Sequence, residues 1–167
     1  MIYTAPTVDV PIDQGDLIDG CPVMELKNYI VDQPATLVAD YEFHRVILLT
    51  QTCDLANDKT SVVTVAEVQT AQTFIDIGVL KPADIKGPLR SGRIWGLYFL
   101  PADAGLGLPE MIVDFRRLHT VKLDVLRMLC KAGKRPGRVQ PLYREHLAKH
   151  FADTFSRIGL PRPYETL

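Results

Sequence analysis

Phe43 to Val68, FHRVILLTQTCDLANDKTSVVTVAEV, is the stretch whose reading decides the fold. Two apolar, β-branched runs, Val46 to Leu49 and Ser61 to Val68, flank a polar segment holding Cys53-Asp54 and Asn57-Asp58-Lys59-Thr60. Short apolar runs bounded by turn formers read as two buried strands. The segment between them reads as a loop, and Gln51, Thr52, Cys53, Asp54, Asn57 and Lys59 are the candidate binding residues on it.

On the N-terminal side, Pro6, Pro11 and Pro22 suit an edge strand and turns, with a short strand between Gly15 and Gly20. Met24 to Tyr41 reads as a hairpin arm or a long loop. Beyond the central pair, Ala71 to Pro88 fits a short helix or an irregular insertion with a Pro/Gly exit. Arg93 to Leu100 and Met111 to Val121 read as a strand pair joined by the glycine-containing PADAGLGLPE turn, with Trp95, Tyr98 and Phe99 in the core. From Lys122 to Ala132, Leu123, Leu126, Leu129 and Cys130 recur at helical spacing. The last helix starts near Gln140-Pro141 and runs to Ile158, with Tyr143, Leu147, Phe151, Phe155 and Ile158 on one apolar stripe. Short strands with glycine turns, followed by helices, point to an α+β protein built on a small barrel.

At 167 residues with 47% hydrophobic and 23% charged content, the chain is too apolar for disorder and long enough to bury a core without disulfide or metal support. Cys21, Cys53 and Cys130 are an odd number at wide spacing, and no secretory signal is read, so a reduced cytoplasmic protein is expected. No run approaches the roughly 20 apolar residues that span a bilayer, so no membrane partner is expected. The net charge of −1 hides an asymmetry: residues 116–167 hold 12 of the 19 Lys+Arg and 4 of the 20 Asp+Glu, or +8, leaving −9 for residues 1–115. Such polarity either draws the two halves together or presents a basic face to nucleic acid or an acidic protein. Arg116, Arg117, Lys131, Lys134, Arg135 and Arg138 are the candidate contacts for that second role.

The order GDLID, then FHRVILLTQTCDLANDKTSVVTVAEVQT, then MIVDFRRLHTVKLDVLRML resembles the PemK/MazF family of toxin endoribonucleases, over about residues 12–130. The resemblance implies an SH3-like β-barrel of about five to seven strands, assigned to 1–132; residues 133–167 read by composition and helical spacing as a basic linker and an amphipathic helix packed on the barrel or on a partner. It further implies metal-independent cleavage of single-stranded RNA by an arginine and a hydroxyl residue. Arg45 matches that arginine by position, Val46 stands where the family carries proline, and Thr50 or Thr70 supplies the hydroxyl. The family's RNA surface doubles as an antitoxin groove, so protein binding survives the loss of catalysis. The C-terminal QPLYREHLAKHFADTFSRIGLP has no counterpart in those toxins and is similar to uncharacterised bacterial proteins of defence or mobile-element operons. The leading expectation is a non-catalytic interaction or adaptor protein of a bacterial stress-response or antiviral defence system, with homo-oligomerisation compatible. The alternative is an endoribonuclease toxin of PemK/MazF type.

Other constellations are weaker. Cys53 is expected as a small buried group rather than a nucleophile activated by His44 or His119, because its neighbour Asp54 disfavours a thiolate. His146 and His150 share a helical face but have no third ligand, so no metal is assigned. No phosphate loop, nucleophile elbow or dinucleotide fingerprint is present, and no cofactor is expected. Asp13, Asp16, Asp54 and Asp58 read as turn formers.

Overall fold

The computed structural model describes residues 2–28, 30–33 and 37–156. It is an α+β structure with one antiparallel sheet of seven strands: β1 (Tyr3–Thr4), β2 (Asp16–Lys27), β3 (Val38–Leu48), β4 (Val62–Thr70), β5 (Leu97–Leu100), β6 (Met111–Lys122) and β7 (Gly137–Val139). The strands lie side by side in the order β1-β7-β2-β3-β4-β6-β5. Helices α1 (Thr52–Ala56), α2 (Ala71–Asp76), α3 (Pro82–Asp84), α4 (Leu123–Lys131) and α5 (Pro141–Phe155), and a π-helical turn at Ile85–Leu89, decorate it.

The two central runs pair as expected, with Arg45 opposite Val68 and Leu48 opposite Val65. Their continuous apolar character follows from burial on both faces. On one face Ile47, Leu49, Ala66 and Val68 join Tyr3, Leu17 and Phe115 in a core closed by Leu147 of α5. On the other, Val46, Leu48, Val63 and Val65 pack against Leu123, Leu126 and Cys130 of α4. The helical stripe Leu123, Leu126, Cys130 is the reason α4 sits there. A third cluster, Ala71, Phe74, Ile85, Leu89, Leu97 and Ile112, anchors the insertion between β4 and β5.

The closed barrel is corrected to an open sheet: β1 and β5 are both edges, each with one neighbour. The edges nevertheless approach, since the Tyr3 hydroxyl donates to the Pro101 carbonyl at 2.8 Å. A two-residue β1, followed closely by Pro6, has too little backbone to form a second ladder. Helix α5 fills the concave face, with Leu147 fully buried and Phe151 half-buried against Phe115 at 5.4 Å between ring centres. The C-terminal helix is therefore docked on its own sheet. Leu147→Ala is expected to destabilise by about 2–5 kcal/mol, the cost of truncating a buried leucine, measured by urea unfolding. A near-zero change would mean that α5 contributes no core.

Two local expectations are also corrected. Arg93 to Gly96 forms turns rather than the start of β5, and Trp95 is half-exposed, its indole N–H donating to the Thr154 carbonyl at 3.1 Å at the end of α5. Gly96 has φ +74°, and a Cβ there would lie 2.8 Å from the Arg116 side chain. That conformation and that approach need glycine, which breaks the strand. Arg157 and Ile158, placed by sequence on the last helix, lie outside the described residues.

Candidate functional site

Arg45 and Thr70, far apart in sequence, line one cleft of about 680 Å³ together with Asp19, His44, Gln69 and Thr73. The β3–β4 register brings them together by placing Arg45 opposite Val68, two residues before Thr70. Thr70 caps α2, its hydroxyl accepting from the Thr73 amide at 3.1 Å. Arg45 is held by both carboxylate oxygens of Asp19, with Nη2 at 3.0 Å from Oδ2 and a shorter contact from Nε to Oδ1. The guanidinium is thus neutralised where a phosphate would need it free. Thr50 lies outside this cleft; its hydroxyl accepts from the Thr64 amide at 2.9 Å and straps the loop to β4.

Beside the cleft, on the opposite face of the sheet, Glu67 is fully buried. His119 Nε2 lies 2.8 Å from its Oε1, Arg117 Nε 2.7 Å from its Oε2, and His44 Nδ1 3.8 Å from Oε2. His44 Nε2 also meets Glu42 at 3.0 Å, and Arg117 reaches Glu25 at 3.0 Å. Burial pushes the Glu67 carboxyl up, but its bonds to Arg117 and His119 and the nearby His44 outweigh burial and hold it below its ordinary value. The network fastens Glu25 and Glu42 of the β2–β3 hairpin to β4 and β6.

No family model and no curated protein matches the chain.

The loop residues occupy and flank α1. Gln51 precedes the helix, Asn57 Nδ2 donates to the Cys53 carbonyl at 2.6 Å, and Lys59 lies 3.8 Å from Asp54. Cys53 is exposed rather than buried, because Leu55 is the α1 side chain turned to the core. Thr52 lines a second cleft, of about 760 Å³, between the N-terminal segment and α4, where it meets Lys131 and Arg138. Four of the six candidate cations face carboxylates of the chain itself. Arg116 grips Asp114 at 2.8 and 2.7 Å, and Arg117 serves Glu67 and Glu25. Arg135 and Arg138 hold the buried Asp16 at 3.0 and 2.6 Å. Lys131 and Lys134 are exposed, with no ion-pair partner among the described residues. The charge asymmetry is therefore consumed largely within the molecule, joining Arg135, Arg138 and Arg144 to Asp13 and Asp16.

His146 and His150 face Tyr98, not each other's metal: the Tyr98 hydroxyl is 3.0 Å from His146 Nδ1, and the His150 ring lies 5.5 Å from that of Tyr98. Among the described residues, no group of three His, Cys, Asp or Glu is arranged to hold a metal ion. No described helix is long and apolar enough to cross a membrane.

The feature that sequence reasoning missed is the surface of the β2–β3 arm. From Cys21–Lys27 paired with Val38–His44, neither strand has an outer neighbour among the described residues, because β7 stops at Leu17 of β2 and β4 starts at Arg45 of β3. The inward face of this ribbon carries Val23, Glu25, Glu42 and His44, fastened as above. The outward face carries Met24 and Leu26 beside Tyr41 and Phe43, exposed by 55, 63, 63 and 72%. Toward the base, Glu25, Glu42 and His44 turn to the protein beside the buried Cys21 and Val23, while the apolar groups of the other face turn to solvent. The signal was present as alternation from Ala39 to His44 (ADYEFH), but alternation alone does not say which face is outward.

Proposed function

We propose that this chain is a non-catalytic interaction protein, an adaptor of a bacterial stress-response or antiviral defence system, that binds a protein through the outward face of its β2–β3 arm. The single observation carrying this reading is the ribbon's outward face: four large apolar side chains exposed together on an element with no outer strand among the described residues. A two-stranded hairpin is marginal in water without something packed on its apolar face, and contiguous apolar surface of this kind marks protein contacts. The arm's outward face bears no charge, so the partner's contacting surface is apolar and uncharged at its centre. A cytoplasmic, cofactor-independent protein fits this reading. Membership of a stress or defence system, and descent of the curled sheet from an SH3-like barrel of PemK/MazF type opened along the β1/β5 seam, rest on the sequence resemblance.

The test is affinity capture on the immobilised full chain against the Tyr41→Glu/Phe43→Glu variant, using lysate of the source organism. Proteins retained by the wild type and lost by the variant are expected. Equal retention by both would overturn the arm as the binding surface.

One observation favours a second reading, the metal-independent ribonuclease: Arg45, Thr70 and His44 share a cleft large enough for nucleotides. It ranks second because Asp19 already holds Arg45. A labelled single-stranded RNA incubated with EDTA is expected to stay intact with wild type and with Arg45→Ala. Cleavage by the wild type alone would reverse the ranking.

A further inference from the structure

We infer that the occupant of the arm's apolar face is a second copy of this chain, the two arms packing face to face about a two-fold axis. This rests on the interaction reading above and names the partner for the same surface.

Three observations select a copy over an unrelated protein. First, a two-fold contact sets a surface against itself, so any net charge on it would repel. Pro22, Met24, Leu26, Ala39, Tyr41 and Phe43 present none. The nearby charges are already paired within the arm, Lys27 with Asp40 at 2.9 Å, or turned inward, Glu25 to Arg117 and Glu42 to His44. Second, the area suffices. Aromatic side chains carry about 150–250 Å² each, so the exposed parts of Tyr41 and Phe43 with Met24 and Leu26 offer on the order of 500 Å² per copy. Two copies then bury on the order of 1,000 Å², the lower bound for a specific interface. Third, the geometry is ready-made. Two ribbons stacked face to face form a four-stranded sandwich about 10 Å thick, which supplies each hairpin with the packing a two-stranded element lacks.

The arm's base is tied to the sheet by the Glu67 network, and its outward face runs on without interruption into the Arg45 cleft, which Phe43 also lines. A dimer formed this way brings two such clefts to the sides of one central sandwich.

The full chain is examined by sedimentation equilibrium alongside Phe43→Asp, a substitution at a side chain 72% exposed and outside the core, with thermal unfolding showing that the variant is folded. The expected result is a wild-type mass of twice 18.7 kDa and a dimer dissociation constant at least tenfold weaker in Phe43→Asp. A second variant, Met24→Cys, is expected to form a disulfide-linked dimer on mild oxidation to a greater extent than the wild type. A dimer that Phe43→Asp leaves intact places the contact elsewhere and overturns the proposal. A monomeric wild type also overturns it. In that case binding of an apolar fluorescent dye, lost in Phe43→Asp, would preserve the interaction reading, whereas no dye binding would remove both.

Discussion

Asp16→Ala is expected to destabilise the protein by about 3–5 kcal/mol, the cost of removing one partner of a buried ion pair. Asp16 is fully buried, and its oxygens accept from Arg138 Nε at 2.6 Å, Arg138 Nη2 at 2.9 Å, Arg135 Nη1 at 3.0 Å and the Asp13 amide at 2.9 Å. Arg135 has a side chain only 2% exposed and cannot recover hydration when its counterion is gone. It also donates to the Thr7 and Val10 carbonyls at 2.6 and 2.9 Å, so the N-terminal segment is organised around it. The loss would therefore be felt both in the core and in the segment that walls the larger cleft. For a chain of this length a melting temperature lower by about 6–20 °C follows, and Asp16→Asn, which keeps an acceptor, is expected to fall between the two. A change below about 1 kcal/mol for alanine would mean the cluster behaves as a surface pair.

The second large effect is expected at Glu67. Glu67→Gln removes the negative charge that Arg117, His119 and His44 surround but keeps an acceptor, and Arg117, 44% exposed, regains hydration, so a cost of about 1–3 kcal/mol is expected. Its dependence on pH follows from the direction of its titration. The carboxyl is held below its ordinary 4.5 in the folded state, so the unfolded chain binds the proton first as pH falls. The stabilisation is complete above 4.5 and is lost as pH drops through the lower folded value. Urea unfolding of wild type and Glu67→Gln should accordingly differ most near pH 7 and converge in acid. A difference that grows toward low pH would contradict the assigned network. Because Glu25 and Glu42 of the arm hang on the same network, the substitution should also speed amide exchange in Cys21–Lys27 while leaving Val63–Val68 protected.

Local patterns made the secondary structure legible. β-branched runs marked β3 and β4, the spacing of Leu123, Leu126 and Cys130 marked α4, and Pro141 with the stripe through Leu147 marked α5. Such signals are carried by neighbouring residues, and the tertiary contacts here reinforce rather than override them. β5 was read too long because four residues of strand-like composition precede it, and only the close approach of Arg116 to Gly96 shows why the strand cannot start earlier.

The candidate site was legible only in part. Arg45 and Thr70 were selected by resemblance, and the β3–β4 register places them in one cleft, but the carboxylate that occupies Arg45 comes from Asp19, 26 residues away. The cations of the C-terminal half stood out in the sequence as a charge imbalance. Their partners did not, because Asp16 lies 119 residues from Arg135, and no local rule pairs groups at that separation.

By itself the sequence determined the long elements β3, β4, β6, α4 and α5, most of the aliphatic core along them, and the opposite charge of the two halves, since these depend on composition and on periods of 2 and 3.6; the short α1 and β7 were read as loop and linker. Tertiary structure alone decided that the sheet stays open, that most of the basic half is spent on internal carboxylates, and that the arm turns its apolar side outward. Alternation divides a ribbon into two faces with equal clarity either way. Which face meets water depends on where Glu67, Arg117 and His44 stand to receive the other one.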